Sequence, residues 1–180
     1  MTTAITVEYE GEIGRSRNDV FSFVSDRQRL PAWSAGIKRV RPTSPGPVGV
    51  GTTYVVVGKL LGRSVESHYE VTGYERDATF AGRMRSPLFT FEERYRFDDT
   101  PTGTRLRLHA EAVPHGLLRL LGPLVAVAMQ RQIRTDHGRL KTALERARPR
   151  PPGPVADAGE PPGEEGVAVR DSAEGGVREG

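Results

Sequence analysis

Apolar and polar residues alternate along the first two thirds of the chain, and this alternation predicts β-strands. In Ile5–Ile13, positions 5, 7, 9 and 13 are apolar and the even positions are polar. Successive strand side chains point to opposite faces, so this segment is typical of a half-buried strand. Six further segments are predicted to be strands: Ile37–Arg41, Thr53–Leu60, Ser64–Tyr74, Thr79–Arg85, Phe89–Asp98 and Thr104–Val113. Most of their connections are short, and short connections indicate an antiparallel meander.

Helical patterns lie between the first two strands and at the end of this region. Ser16 is a suitable N-cap for a short helix whose apolar face contains Phe21. A second short helical turn is predicted around Arg27–Trp33. A long helix follows the last strand, since apolar residues recur there at three- and four-residue steps. This stripe consists of Leu121, Val125, Met129, Ile133, Leu140 and Leu144, with one seven-residue step in which Asp136 or His137 lies.

Composition divides the chain into two parts. The hydrophobic content of the 180 residues is 36%, below the roughly 45–50% of globular chains, a figure that also counts Gly. Residues 148–180 contain six Pro and seven Gly but no Leu, Ile or aromatic residue. Such a segment buries too little apolar surface to offset its ordering entropy. We therefore expect one domain at residues 1–147 and a disordered tail at residues 148–180.

The net charge divides at the same place. The total of +3 combines +6 for residues 1–147 with −3 for residues 148–180. Arginines cluster near the end of the long helix, but the interleaved aromatic residues typical of single-strand nucleic-acid binding are absent there. A solvated helix face explains this cluster, because cations are favoured near a helix C-terminus. We expect no nucleic-acid partner.

Several kinds of site and location are excluded or disfavoured by the residues themselves. The chain has no Cys, which excludes a disulfide scaffold, a thiol nucleophile and a Cys-based metal site. The four His have no metal-ligand spacing, so neither a metal nor a cofactor is expected. The longest apolar stretch, Leu117–Met129, is much shorter than the roughly 20 residues that span a bilayer. No signal peptide is visible. We expect a cytoplasmic protein without stable membrane insertion.

The order of elements and several local motifs resemble the START-like, or helix-grip, superfamily, and in particular its bacterial polyketide cyclase/dehydrase and lipid-transport branch. The resemblance covers about residues 3–147. The matching segments are Val20–Asp26, Leu30–Ser34, Gly49–Tyr54, Tyr69–Glu75, Phe91–Phe97, Gly103–Leu106 and Gly116–Leu121. It implies an α+β fold in which a curved antiparallel sheet of six to seven strands wraps a long C-terminal helix, with two short helices after the first strand.

In such a fold, the ligand site would lie between the concave face of the sheet and the long helix. Strand parity and the helix stripe predict which side chains line it, and most of them are apolar or aromatic, as in small-molecule pockets generally. The predicted ligand-binding residues are Trp33, Tyr54, Ser67, Tyr69, Phe80, Met84, Phe91, Glu93, Tyr95, Met129, Ile133 and His137. The alternative is a filled core without a cavity.

Three of these residues are candidates for catalysis. Glu93 breaks the apolar parity of its strand, and a carboxylate among aromatic rings is costly to bury without a partner. It could act as an acid or base, or bind a ligand hydroxyl. Alternatively, a bulge turns it outward, or it pairs with an arginine. His137 could reach the cavity or be structural, and Tyr69 could supply a hydroxyl.

Two main functions follow from the resemblance. The favoured one is binding of a hydrophobic or aromatic small molecule, lipid- or polyketide-like. The other is a polyketide aromatase/cyclase that catalyses aldol cyclisation and dehydration, with Tyr69, Glu93 or His137 assisting. A weaker third possibility is a peripheral membrane role of Leu117–Met129. The sheet–helix motifs are specific to a fold rather than to one reaction.

Overall fold

The computed structural model describes residues 4–60 and 63–147. The predicted tail at residues 148–180 lies outside the described residues, as do Leu61 and Gly62 of one predicted turn. The division into a domain and a disordered tail therefore stays a prediction. All statements below concern the described part of the chain.

Seven strands form one antiparallel sheet with the order β1-β7-β6-β5-β4-β3-β2. Each strand from β2 to β6 pairs with the next one in sequence, and β1 pairs with β7. The strands are β1 (Ile5–Ile13), β2 (Ile37–Pro42), β3 (Thr53–Leu60), β4 (Arg63–Glu75), β5 (Thr79–Arg85), β6 (Phe89–Thr100) and β7 (Gly103–Pro114). The predicted meander is confirmed, and no predicted boundary differs from the observed one by more than two residues.

The two edge strands, β1 and β2, are consecutive in sequence, and short helices connect them. Helix α1 (Arg17–Ser25) begins after Ser16, whose side chain accepts a hydrogen bond from the amide of Asp19 as an N-cap. A 3₁₀ turn (Arg27–Arg29) and helix α2 (Leu30–Trp33) then lead to β2. Both short helical segments predicted from the sequence are therefore present.

The C-terminal helix α3 spans Gly122–Arg146 and follows a 3₁₀ turn at Gly116–Leu121. It packs on β1 and α2. Arg15 holds its C-terminal end by donating hydrogen bonds to the carbonyl oxygens of Leu144 (2.9 Å) and Glu145 (3.0 Å). No helix in residues 4–60 and 63–147 is long and apolar enough to cross a membrane. The arrangement is an α+β helix-grip fold, as the sequence predicted.

The predicted apolar stripe of α3 is only partly correct. Leu140 and Leu144 are buried, together with Asp136 and His137 from the seven-residue step of the stripe. Leu121, in contrast, precedes the helix and has 47% of its surface exposed. Val125, Met129 and Ile133 are only partly buried. The physical reason is that the sheet and α2 cover the C-terminal half of this helix more completely than its first half, where Ile133 is only partly buried against the core.

The hydrophobic core lies between the inner face of the sheet and the helices α1, α2 and α3. Phe21 of α1 contacts Tyr74 and Phe97 edge to face, with ring centroids 5.3 Å away in both pairs. The pairing of β4 with β5 shifts by one residue between Val71 and Gly73. This irregularity brings Tyr74 opposite Phe80, and the centroids of their rings are 6.4 Å apart.

Candidate functional site

Glu93 lies in the middle of β6 and points into the core, as strand parity predicted. It is 7% exposed, and its neighbours across the sheet are Gly82 on β5 and Ala110 on β7. The pairing is continuous on both sides of Glu93, so the alternative of a bulge that turns it outward is wrong. These two small neighbours leave space beside Glu93 for another polar side chain, and larger residues would fill that space.

An arginine neutralises this buried carboxylate. Arg27 Nη2 lies 2.8 Å from Glu93 Oε1, and both side chains are 5% exposed. The guanidinium also lies over the rings of Tyr69 and Phe80, with distances of 4.6 and 5.6 Å from its central carbon to the ring centroids. These are cation–π distances. The alternative of an ion pair between Glu93 and an arginine is therefore confirmed.

Arg27 is not among the predicted site residues, although the sequence contains a signal for it. Arg27, Leu30 and Trp33 are spaced by three residues in the predicted helical turn, and all three are buried. Residues at this spacing share one face of a 3₁₀ or α-helical turn. Asp26 begins the turn by accepting a hydrogen bond from the amide of Gln28. An arginine on the same face as a Leu and a Trp must find a buried partner.

Tyr69 connects a third strand to this ion pair. Its hydroxyl donates a 2.8 Å hydrogen bond to Glu93 Oε1, although Tyr69 is on β4 and Glu93 is two strands away on β6. The side chain crosses Gly82 on the intervening strand. A Cβ atom at position 82 would lie 1.8 Å from the Tyr69 hydroxyl oxygen. Glycine at this position is therefore what allows the hydrogen bond.

Burial and charge together set the protonation of these groups. Burial alone lowers the pKa of Arg27, but the Glu93 carboxylate reverses this effect, and the net pKa lies above its ordinary value. Burial raises the pKa of Tyr69 and of Tyr95 well above the ordinary tyrosine value, and Glu93 raises both further. Arg27 is therefore charged and both phenols are protonated at neutral pH.

His137 extends the polar interior towards helix α3. Its Nδ1 lies 2.7 Å from the carbonyl oxygen of Ile133, an acceptor, so Nδ1 carries a proton. Its ring lies 4.4 Å from that of Tyr9, 5.7 Å from that of Trp33 and 5.8 Å from that of Tyr95, between centroids. Burial lowers the pKa of His137 below the ordinary 6.5, despite the opposing hydrogen bond to Ile133. At neutral pH, Nε2 is therefore an unprotonated acceptor.

Four buried polar atoms in this interior have no hydrogen-bond partner among the described residues. Three are donors, Arg27 Nε, Arg27 Nη1 and Trp33 Nε1, and the fourth is the acceptor His137 Nε2. Buried polar groups in folded proteins are nearly always hydrogen-bonded, and an unpaired one costs about 1–3 kcal/mol. Contacts join the residues that carry these atoms. Arg27 pairs with Glu93, and Glu93 lies beside Tyr95. The ring of His137 contacts both Tyr95 and Trp33. The interior thus contains three donors and one acceptor that could form hydrogen bonds with a bound molecule.

Asp136, next to His137 in sequence, has a structural role. Its carboxylate accepts hydrogen bonds from the Ser34 hydroxyl (2.9 Å), the Ala35 amide (3.2 Å) and Gln132 Nε2 (2.8 Å). Ser34 and Ala35 follow α2 directly. These bonds hold α2 against α3 and thereby hold Trp33 and His137 side by side.

The remaining predicted site residues fall into two groups. Tyr54, Ser67, Phe80 and Tyr95 are buried on the inner face of the sheet. Met84, Phe91, Met129 and Ile133 are only partly buried. The structure thus brings the aromatic members together around Arg27 and Glu93, whereas Met129 lies on the less covered half of α3. Their assignment as ligand-binding residues stays a prediction.

Two surface depressions lie outside this interior. One, of about 330 Å³, is lined mainly by charged side chains of β1, β6 and β7. The other, of about 370 Å³, lies between Ala32 of α2 and residues 135–146 of α3. In residues 4–60 and 63–147, no group of three or more His, Asp or Glu side chains is arranged to hold a metal ion. Neither depression is lined by Arg27, Trp33 or His137, so the unpartnered polar atoms are what distinguish the interior as a candidate site.

Comparison with known proteins agrees with the fold. Residues 4–145 match the family described as polyketide cyclase/dehydrase and lipid transport. No curated protein matches the sequence. A START superfamily protein from Mycobacterium smegmatis is similar in structure, with 18% identity, a TM-score of 0.68, and coverage of 78% of this chain and 97% of that chain. The Zhui aromatase/cyclase from Streptomyces sp. R1128 has 14% identity, a TM-score of 0.63, and coverage of 80% and 95% respectively. At these identities, the likeness concerns the fold alone.

Proposed function

The chain belongs to the polyketide cyclase/dehydrase and lipid transport family, and from this premise we propose that it binds a small hydrophobic molecule between the sheet and helix α3. The observation that carries the proposal is the set of unpartnered polar atoms on Arg27, Trp33 and His137. They lie among aromatic side chains, and binding sites combine such apolar walls with a few polar groups that orient the ligand.

The chemistry of these atoms favours a particular kind of ligand. Arg27 offers two unpartnered donor nitrogens and Trp33 offers one, which suits carbonyl oxygens of the ligand. His137 Nε2 is an acceptor and suits a ligand hydroxyl. The charge of Arg27 is already balanced by Glu93, so an additional buried carboxylate would be costly. A neutral aromatic compound with carbonyl and hydroxyl groups therefore fits better than a fatty acid.

Trp33 makes the proposal directly testable, because it is the sole tryptophan of the chain. We expect a dihydroxyanthraquinone to quench its fluorescence saturably and oleate to do so much more weakly. Arg27→Met, which removes the guanidinium with both unpartnered nitrogens, should weaken binding of the quinone about tenfold or more. The matched control is Arg29→Met, two residues away, where the side chain is exposed.

A second variant protects this test against unfolding of Arg27→Met. Trp33→Phe keeps an aromatic side chain but removes the indole N–H, and calorimetry should show weaker quinone binding. Absence of saturable quenching by both probes, together with no small molecule in native mass spectrometry of protein from its own host, would contradict the proposal. A quinone affinity that is equal in wild type and both variants would also contradict it.

The aromatase/cyclase alternative is favoured by one observation, the unprotonated Nε2 of the buried His137. Such an atom could accept a proton during aldol closure of a poly-ketone chain. If this is the function, His137→Ala and Glu93→Gln should abolish turnover of a poly-β-ketone substrate while leaving its binding measurable. If the protein only binds, wild type should leave such a substrate unchanged.

A further inference from the structure

A second surface of the molecule is strongly apolar and lies at the beginning of helix α3. Leu117 and Leu120 are each 77% exposed, Leu124 is 71% exposed and Val127 is 70% exposed. We call these four residues, with the half-exposed Leu121, the leucine patch. Isolated exposed apolar residues are ordinary, but five within eleven residues form a contiguous surface of the kind that marks interaction sites.

The chain segment that carries the leucine patch has charges of one sign only. From residue 112 to residue 135 the chain contains Arg119, Arg131 and Arg134 but no Asp or Glu. None of these arginines forms an ion pair with a residue in the described part of the chain. Apolar residues combined with unpaired cations are characteristic of helices that lie in the interface of an anionic bilayer.

Helical geometry places the cations next to the apolar residues. Leu124, Val127, Arg131 and Arg134 are separated by three or four residues in α3, so they lie on one face of the helix. At 1.5 Å per residue, Arg131 is about 6 Å further along the axis than Val127. If the N-terminal end of α3 points into the acyl boundary, the leucines would therefore lie deeper than the arginines, which would be nearer to the phosphates.

From this combination we infer that the leucine patch docks the protein reversibly on an anionic lipid surface. The other possible occupants fit less well. Residues 148–180 contain no Leu, Ile or aromatic side chain that could cover the patch. A second copy of the chain, related by a two-fold axis, would bring the same arginines together without any acidic residue of the segment to pair with them. An anionic lipid surface offers acyl chains for the leucines and negatively charged headgroups for the arginines.

The docking surface is distinct from the interior site, and its test does not depend on a ligand. We expect the full chain to co-sediment with vesicles of phosphatidylcholine and phosphatidylglycerol in equal parts, and only weakly with pure phosphatidylcholine. High salt should reduce the binding, because it screens the arginines. Leu120→Ser/Leu124→Ser should lower the lipid affinity at least about tenfold, since each buried leucine contributes strongly to partitioning.

Two control variants make the result specific. Val50→Ser changes an apolar residue that is 67% exposed elsewhere on the surface, and it should bind vesicles as wild type does. Arg131→Gln/Arg134→Gln should lose binding to the anionic vesicles only. All of these positions are exposed, so the variants should fold.

Three outcomes would overturn the inference. One is the absence of binding of wild type to anionic vesicles. Another is equal binding of Leu120→Ser/Leu124→Ser and wild type. The third is a stable dimer of wild type in ultracentrifugation that the double serine variant converts to monomers, because a second copy would then occupy the leucine patch.

Discussion

The two halves of helix α3 have opposite environments. No residue of the first half, at positions 122–135, is buried, whereas the second half contains the buried Asp136, His137, Leu140 and Leu144. Yet the first half is the more apolar of the two, with Leu124, Val127, Met129 and Ile133 among its residues. The comparison shows that the hydrophobic period of a helix identifies a face but does not identify what covers that face.

The buried half is also the half with specific polar attachments. Asp136 accepts three hydrogen bonds, two of them from the residues that follow α2. Arg15 holds the last turn. This half packs His137 against the aromatic rings of the interior, whereas the other half leaves Leu124 and Val127 exposed. We therefore expect substitutions to affect stability in the buried half and binding to a surface in the exposed half.

The largest effect is expected from the interior that the buried half covers. Arg27→Met leaves the Glu93 carboxylate buried without its counter-charge, and loss of one partner of a buried pair costs about 3–5 kcal/mol. Chemical denaturation should show this loss in the free energy of unfolding. The double variant Arg27→Met/Glu93→Gln should regain more than half of it, because the uncompensated charge is removed. Equal stability of both variants would show that the ion pair does not couple the two residues.

A matched pair of leucines on the same helix tests the comparison itself. Leu140 is fully buried and Leu124 is 71% exposed. Leu140→Ala should lower the free energy of unfolding by about 2–5 kcal/mol, through lost burial and the cavity left behind. Leu124→Ala should change it by less than about 0.5 kcal/mol. Similar losses in the two variants would mean that the first half of α3 is packed in solution as firmly as the second.

The smallest effect is a dependence of stability on pH. The pKa of His137 is lowered by burial from the ordinary 6.5, so the unfolded chain takes up a proton more readily than the folded one. This group's contribution to stability is therefore present above about pH 6.5 and is lost as the pH falls through the lower pKa of the folded state. Relative to wild type, His137→Gln should flatten the decline in unfolding free energy below pH 6.5. The difference in slope is at most about 1.4 kcal/mol per pH unit. Parallel pH profiles of the two proteins would contradict this assignment.

Most of the sheet could be predicted from the sequence because its signal is local. Alternation of apolar and polar residues specified Thr53–Leu60 and Thr79–Arg85 with the bounds that the structure has. The same parity pointed Glu93 inward. In each case the pattern lies within a few residues and one face of the sheet is buried, so a shift by one residue would expose the core.

The partner of Glu93 could not be predicted, because it is 66 positions away in the chain and the chain has 23 arginines. Only the three-residue spacing of Arg27, Leu30 and Trp33 distinguishes this arginine from the others. The hydrogen bond from Tyr69 to Glu93 across Gly82 could not be predicted either, because it depends on the pairing of three strands. Partial exposure of the α3 stripe depends on how far α2 and the sheet extend, which no local pattern encodes.

The attachments of Arg15 and Asp136 have a consequence for how the molecule folds. Arg15 contacts a carbonyl 129 positions later, and Asp136 binds the hydroxyl of Ser34 across 102 positions. Strand β1 likewise pairs with β7, about a hundred residues away. Contacts this distant close large loops and form slowly. During synthesis, β1, α1 and α2 emerge before their partners β7 and α3, so the closing of helix α3 over the sheet should be a late event in folding.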